Sequence, residues 1–473
     1  MNNAITLTPG QAVALEALTK FANREADFEL AVLQGYAGTG KSTLMGQLLS
    51  QYDGGRVALA APTNKAVRVL KDRVAEHIDD DFHPARDFHK AERHDREYGS
   101  IHSLLGMDVE ELEDGTIRCK SARDSILHEY DLVIVDECSM LDEDLVNRIL
   151  LSRRSALILF VGDPAQLPPV QGTANTSPVF DLVTYRITLT EVVRQAADNP
   201  IIKLSIGIRQ AMERGEKISA QTLAGYLPME FPAKAGLMTG GADAALSTLL
   251  YEIGQQRDAR IVAFRNDVVL MYNRKAHEAL HGLTRHPFSV GERVIAHQAF
   301  SDGSWDPDSG TRGAPVKVIN SEELEVIDVQ NAQHPFYRDQ FPCSSVGLRK
   351  DDGVMLRSYV ADDPAELDRA VSKKFGEWRQ AKMVANQLEK SGKDSVYEMR
   401  KAKDLSDQAW ALRKAFAPLR HVYAITAHKS QGSTFDTAIV DYADLALMRS
   451  ASQFNRSLYV AATRAREHLA VVV

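Results

Sequence analysis

The chain has 473 residues, more than one ordinary core requires, so two or more domains are expected. Hydrophobic residues make up 44% and charged residues 25%, which excludes a disordered chain, and no apolar run reaches the length of a bilayer span. A net charge of −8 weighs against a protein held to nucleic acid by a broad basic surface, though a local groove remains open to it.

The first residues, MNNAITLTPGQ, have no charged leader followed by an apolar stretch, so no secretory signal is read. Cys119, Cys138 and Cys343 have no paired spacing and read as ordinary thiols. A soluble, cytoplasmic protein with no membrane partner is expected.

Aliphatic runs at Leu30–Leu33, Val57–Ala61, Leu132–Val135 and Ala156–Val161 alternate with longer polar stretches. That pattern predicts a parallel sheet covered by helices, an α/β fold. The first run leads into Gly35-Tyr36-Ala37-Gly38-Thr39-Gly40-Lys41-Ser42, followed by Thr43 and a helix-compatible stretch. Glycines there let successive amides close around phosphates; Lys41 reaches the β- and γ-phosphates and Ser42 holds Mg²⁺. A chance glycine-rich turn would lack the strand before it and the helix after it.

Leu132–Val135 ends in Asp136-Glu137. A strand-end aspartate can hold Mg²⁺, and the glutamate beside it can deprotonate water. Alone, such a pair is often a solvated turn; beside a phosphate loop it points to nucleotide hydrolysis. The next run leads to Gly162-Asp163-Pro164-Ala165-Gln166-Leu167-Pro168-Pro169, where Gln166 either senses a γ-phosphate or caps backbone.

The stretch Asp79–Glu97 is rich in charge and holds His83, His89 and His94; its spacing announces no metal site and reads as a flexible polar loop. Within Gly106–Lys120, Glu113-Asp114-Gly115 has the chemistry of a hairpin turn.

Together, Leu7-Thr8-Pro9-Gly10-Gln11, the phosphate loop, Ala61-Pro62-Thr63-Asn64-Lys65-Ala66, Ile101-His102-Ser103, Asp136-Glu137-Cys138-Ser139 and the Gly162–Pro169 motif stand in a recognisable order. Leu189-Thr190-Glu191-Val192-Val193-Arg194, Thr426-Ala427-His428-Lys429-Ser430-Gln431-Gly432 and Leu458–Arg466 complete it. The ordered set resembles superfamily 1B helicases, the RecD-like branch and its Dda-like members, over nearly the whole chain.

That resemblance implies two RecA-like P-loop domains with parallel sheets, a small hairpin inserted in the first, and an SH3-like β-barrel with a helical arm inserted in the second. The expected boundaries are 1–190 for the first domain with its hairpin at 104–125, then 191–289 and 420–473 for the second, with 290–419 inserted. Two charged helices, broken near Ser391-Gly392-Lys393-Asp394, are predicted within 364–417.

It further implies ATP and Mg²⁺ as cofactors, with Gln11 reading adenine and Gly35, Gly38, Thr39, Gly40, Lys41, Ser42 and Thr43 holding the nucleotide. Asp136 would hold the metal beside Ser42, Glu137 would be the general base, and Gln166 would link the γ-phosphate to the strand-binding surface. Arg194 and Arg464 would be arginine fingers, although either would otherwise read as a surface ion pair. Pro62, Thr63, Asn64, His102, Asn266, Thr426, His428 and Lys429 would line a single-strand channel, gripping phosphate without reading sequence.

The implied activity is 5′–3′ DNA helicase action on single strands and duplex junctions, by a monomer, with replication or recombination proteins as partners. A bacterial or phage-infected cytoplasm follows. The hairpin carries no aromatic wedge, leaving Met107, Leu112 or Ile117 to split base pairs, or leaving unwinding weak. An RNA helicase, an ATP-gated clamp that binds without strong unwinding, and a P-loop metabolite kinase are the alternatives, the last disfavoured by the motifs after Gln166.

Overall fold

The computed structural model describes residues 7–77, 82–85, 94–111, 117–121, 123–169, 176–191, 199–228, 234–307, 309–337 and 340–473. Arg194, His89 and Leu112, singled out above, lie outside them. The chain divides into two compact units. One comprises Met1–Glu110, Arg118–Tyr272 and Tyr423–Val473; the other comprises Glu111–Ile117 and Asn273–Val422.

The first unit holds two parallel sheets. In the larger, the strands run in the order His83–Pro84, Arg96–Ser100, Val57–Ala61, Leu132–Val135, Leu157–Gly162, Leu30–Gly35, Tyr185–Leu189. Every pairing is parallel. Leu132–Val135 and Leu157–Gly162 are buried along their whole length, which is why they read as unbroken aliphatic runs rather than alternating ones. Two apolar clusters cover the two faces: Leu18, Phe21, Leu44 and Leu48 pack on one, and Ile101, Leu104, Val146 and Phe180 on the other.

Local chemistry sets where the covering helices begin. Thr8 and Gln11 form a capping box at the start of Pro9–Ala22, and Asp142 accepts from the Leu145 amide at the start of Glu143–Ser152. Each such cap stabilises its helix by about 1 kcal/mol.

The second parallel sheet has the order Ala235–Met238, Ala465–Val472, Phe435–Asp441, Ala259–Ala263, Ala424–Thr426. Its core, with Leu458, Val460 and Leu469, also takes in Ala165 and Leu167 from the loop that follows Leu157–Gly162. The motif loop of one sheet is therefore packed into the core of the other.

The expectation of a flexible loop at Asp79–Glu97 is corrected at both described ends. His83–Pro84 and Arg96–Ser100 are strands, and the His83 and His94 rings stack with centroids 3.7 Å apart. Glu97 is 2% exposed, bonded to the Tyr130 hydroxyl and 3.4 Å from Arg56. Its charge is paired in the interior rather than solvated, which composition alone could not reveal.

The expected hairpin is present as Met107–Glu111 paired with Ile117–Ser121. Met107 is buried against the first unit's core, so it is withdrawn as the base-splitting wedge.

In the second unit, seven strands pair in the order Arg312–Val318, Phe300–Trp305, Met355–Ala361, Cys343–Arg349, Glu323–Ala332, Arg293–Ala296, Leu419–His421, all antiparallel. This is the expected β-rich insertion; strand pairing alone does not make it an SH3-like barrel. Pro364–Lys390 and Val396–Lys414 form the two-helix arm, turning at Gly392. Small residues Ala381, Ala385, Ala402 and Ala409 are buried in the arm, and Phe375 meets Trp410 edge to face at 5.3 Å.

Candidate nucleotide and strand site

The phosphate loop joins Leu30–Gly35 to the helix Lys41–Ser50. Gly38 and Gly40 have φ of 79° and 84°, a region that side chains avoid, and Gly40 precedes the helix with no side-chain cap. The first-turn amides of that helix, with Ser42 and Thr43 among them, are therefore left for an anion. Lys41 Nζ donates to the carbonyls of Gly35 at 2.7 Å and Tyr36 at 3.0 Å, which holds the ammonium over the loop.

Gln11 is buried behind the loop. Its Nε2 donates to the Thr39 carbonyl at 3.0 Å and its Oε1 accepts from the Thr8 amide at 2.9 Å. The side chain expected to read adenine thus also ties the first helix to the phosphate loop.

Asp136 and Glu137 follow the strand Leu132–Val135. Glu137 takes φ of 53°, a strained setting for a non-glycine residue, and its amide donates to Asp136 Oδ1 at 2.8 Å. Burial pushes the Asp136 carboxyl up, opposed by that amide and by the charges of Lys41 and Arg73. Burial, then repulsion from Asp136, pushes Glu137 up to about 7, against the pull of Arg464 and Lys41. A carboxyl poised there suits proton transfer near neutral pH.

Arg464, just before the strand Ala465–Val472 of the second parallel sheet, is 6% exposed. Its guanidinium donates to Val460 O at 3.0 Å, Ser433 O at 3.1 Å and Thr463 Oγ1 at 3.2 Å. Burial lowers its pKa and the charge of Glu137 raises it, so the two sheets bring these opposite charges within electrostatic reach.

Gln166 is buried, and its Oε1 has no hydrogen-bond partner among the described residues. Arg456 Nη1 donates to the carbonyls of Pro164 at 2.5 Å and Gln166 at 2.7 Å, fixing the loop that carries this amide. Lys41, Asp136, Glu137 and Arg464 thus lie within electrostatic reach of one another, and Gln166 sits in the loop of Asp163, whose charge also acts on Glu137.

Four participants went unread in the sequence. Tyr459 is fully buried; its hydroxyl donates to Asp163 Oδ2 at 2.5 Å and accepts from the Ala37 amide at 3.1 Å. One hydroxyl thus links the phosphate loop, the Gly162–Pro169 motif and the helix Ala451–Ala462. The Arg209 guanidinium lies 3.3 Å from the Tyr36 ring centroid, and Arg456 braces the Gln166 loop. Asp163, wholly buried, also accepts from the Ala165 amide at 2.9 Å. The available signal was position: Tyr459 and Asp163 sit inside motifs already quoted.

Tyr459→Phe is expected to destabilise the protein by about 1–3 kcal/mol, because Asp163 Oδ2 is left buried and unpaired. Urea denaturation of both proteins measures it.

Seven of the eight strand-binding candidates fall in two groups, and Asn266 stands apart. Thr63 caps the helix Asn64–Ala75 through the Ala66 amide, and Pro62 and Asn64 flank it. His102 bonds to the backbone of Pro62; burial lowers its pKa, so it is neutral at pH 7. In the second group, Thr426 Oγ1 accepts from the Lys429 amide at 3.3 Å, burial lowers the pKa of His428, and Lys429 is exposed. Gly432, with φ of 70°, closes this turn against Ala66: a side chain there would meet Ala66 Cβ at 3.2 Å. The two groups are therefore neighbours. Asn266 is exposed at the start of its helix, after a turn held by Asp444, which accepts from the Phe264 and Arg265 amides at 2.7 and 2.9 Å.

The donor set fits Mg²⁺ and a polyphosphate: hard oxygens on Ser42 and Asp136, cations at Lys41 and Arg464, and an unpartnered amide oxygen on Gln166. His102 and His428, neutral and half-buried, suit hydrogen bonds to a sugar-phosphate chain rather than ion pairs.

An AAA domain profile matches residues 6–228, and a UvrD-like helicase C-terminal domain profile matches residues 421–472. The chain is 25% identical to the ATP-dependent DNA helicase Dda of Enterobacteria phage T4, over 97% of this chain and 98% of that one. It is 33% identical to the ATP-dependent RecD2 DNA helicase of Deinococcus radiodurans, over 39% of this chain and 22% of that longer one. A Bacteroides Pif1 helicase, solved with ADP-AlF3 and single-stranded DNA, shares the fold with a TM-score of 0.51 at 15% identity, covering 99% of this chain and 92% of that one.

Proposed function

Since the chain belongs to superfamily 1B of the helicases, among the relatives of Dda, we propose that it is an ATP-driven motor that moves 5′ to 3′ on single-stranded DNA and opens duplex ahead of it. The observation that carries this reading is that Glu137, after a strand of one parallel sheet, and Arg464, just before a strand of the other, lie within electrostatic reach of each other, while the turn at Gly432 packs against Ala66. Two sheets that share one hydrolytic site and one strand track can convert closure into a step.

In this account Lys41 and the loop amides hold the β- and γ-phosphates, and Glu137 orients the attacking water and accepts its proton. Arg464 neutralises charge that develops on the transferring phosphoryl group. Mg²⁺, held by Ser42 and Asp136, supplies charge neutralisation on the phosphates when bound. Gln166 and Tyr459 join the phosphate loop to the second sheet, so a change at the γ-phosphate reaches Thr426, His428 and Lys429. Arg194 is proposed as a second finger from the motif alone. The inserted sheet is proposed as an SH3-like barrel on the same footing.

Single-stranded DNA is expected to stimulate ATP hydrolysis at least about tenfold, and Lys41→Ala to abolish it. Steady-state hydrolysis with and without a DNA oligonucleotide, and with an RNA of the same sequence, measures both. Stimulation by RNA alone would overturn the DNA assignment. No stimulation by either would overturn the motor.

A further inference from the structure

In the second unit, two histidines four residues apart face the same way at the end of a helix, a spacing that recurs in zinc-binding helices. They are His277 and His281, in the last turns of Asn266–His281. One donor nitrogen from each and one carboxylate oxygen of Glu292 lie within 4.8 Å of one another. His277 and Glu292 are 8% and 3% exposed, so this is not a chance meeting of surface groups.

The hydrogen bonding fixes how His277 presents itself. Thr284 Oγ1 donates its only proton to the His286 carbonyl at 2.8 Å. It therefore accepts from His277 Nε2, 3.4 Å away, which makes that nitrogen the protonated one. In the neutral ring the other nitrogen, Nδ1, keeps its lone pair, and it makes no well-aligned hydrogen bond among the described residues. It nevertheless stands 3.2 Å from Glu292 Oε2. A buried ring nitrogen facing a buried carboxylate oxygen needs positive charge between them, supplied either by a proton that makes His277 an imidazolium or by a metal ion.

The separation is also informative. Four-coordinate zinc, with bonds of about 2.0–2.1 Å, holds its donors about 3.3 Å apart, close to the His277–Glu292 spacing. The carboxylate is held on both oxygens: His421 Nδ1 meets Oε1 at 2.5 Å and the Ser289 amide donates to Oε2 at 3.1 Å, which leaves a further lone pair of Oε2 beside His277 Nδ1. A histidine orienting a ligating carboxylate from behind is a common outer partner of a metal site. The helix C-terminus adds its negative dipole end.

We propose that His277, His281 and Glu292 bind a divalent transition metal, zinc being the best match to two imidazoles and one carboxylate, with His421 positioning Glu292. Bound there, the metal ties the end of the helix to the start of the strand Arg293–Ala296. That strand is itself paired with Leu419–His421, so one ion fastens two neighbouring segments to a third that is distant in the chain.

The test uses the full chain stripped with chelator, then exposed to Zn²⁺ in excess Mg²⁺, which saturates the hard-oxygen site at Ser42 and Asp136. One equivalent of zinc is expected to remain after gel filtration and to raise the thermal unfolding midpoint. Co²⁺ is expected to give the intense visible absorption of a four-coordinate ion. His281→Gln, a change at a half-buried helix end, should lose both signals while keeping the far-ultraviolet spectrum of a folded chain. His421→Gln should weaken zinc about 10- to 100-fold without abolishing the Co²⁺ spectrum. Failure of the wild-type chain to retain zinc would overturn the proposal, as would retention and a Co²⁺ spectrum unchanged in both His281→Gln and Glu292→Gln.

Discussion

Arg464→Ala is expected to lower steady-state ATP hydrolysis by about 10³-fold or more, the scale of loss when an arginine finger is removed. The guanidinium is held by three acceptors and lies near enough to Glu137 to pull its pKa down. No reorganisation is then needed when charge develops on the transferring group. Alanine also strips partners from two carbonyls, so Arg464→Lys is the necessary companion: it restores the charge without the planar fork. Both variants should still bind a fluorescent nucleotide through the phosphate loop. Retention of more than about a tenth of the activity by the alanine variant would remove Arg464 from the chemistry.

Glu137→Gln is expected to cost about 10²- to 10⁴-fold in hydrolysis, the usual range for a general base. Its effect on stability should run the other way. Burial and the Asp136 charge raise the folded pKa to about 7, above the ordinary carboxylate value of 4.5. The folded state therefore holds the proton more tightly than the unfolded chain, and this group's contribution is fully present below pH 4.5. It is lost as pH rises through about 7. In chelator, without nucleotide, Glu137→Gln should raise the unfolding midpoint relative to wild type at pH 8 and change it little at pH 5. Equal shifts at the two pH values would show that the carboxyl is not held up by its surroundings.

The nucleotide site was legible because its parts are local. Asp136 and Glu137 follow a buried strand, and Lys41 and Ser42 open the helix that a glycine-rich loop joins to another strand, so a short apolar run and the residues after it announce both the element and the chemistry. Tyr459 was hidden for the opposite reason. Its partners, Ala37 and Asp163, lie hundreds of residues away, and nothing in the helix Ala451–Ala462 marks one hydroxyl among its polar groups as a bridge. Glu97 was misread in the same way, because composition cannot tell a charge paired to Arg56 and Tyr130 from a solvated one. The histidines at 277 and 281 had readable spacing, but Glu292 and His421 come together with them only through antiparallel pairing of Arg293–Ala296 with Leu419–His421.

The most direct measurement of the central claim is unwinding of a short duplex that carries either a 5′ or a 3′ single-stranded tail, with ATP and Mg²⁺, beside Lys41→Ala. The account predicts strand release from the 5′-tailed duplex alone, abolished by the substitution. Release from the 3′-tailed duplex alone would contradict the direction, and no release from either, despite DNA-stimulated hydrolysis, would contradict unwinding itself.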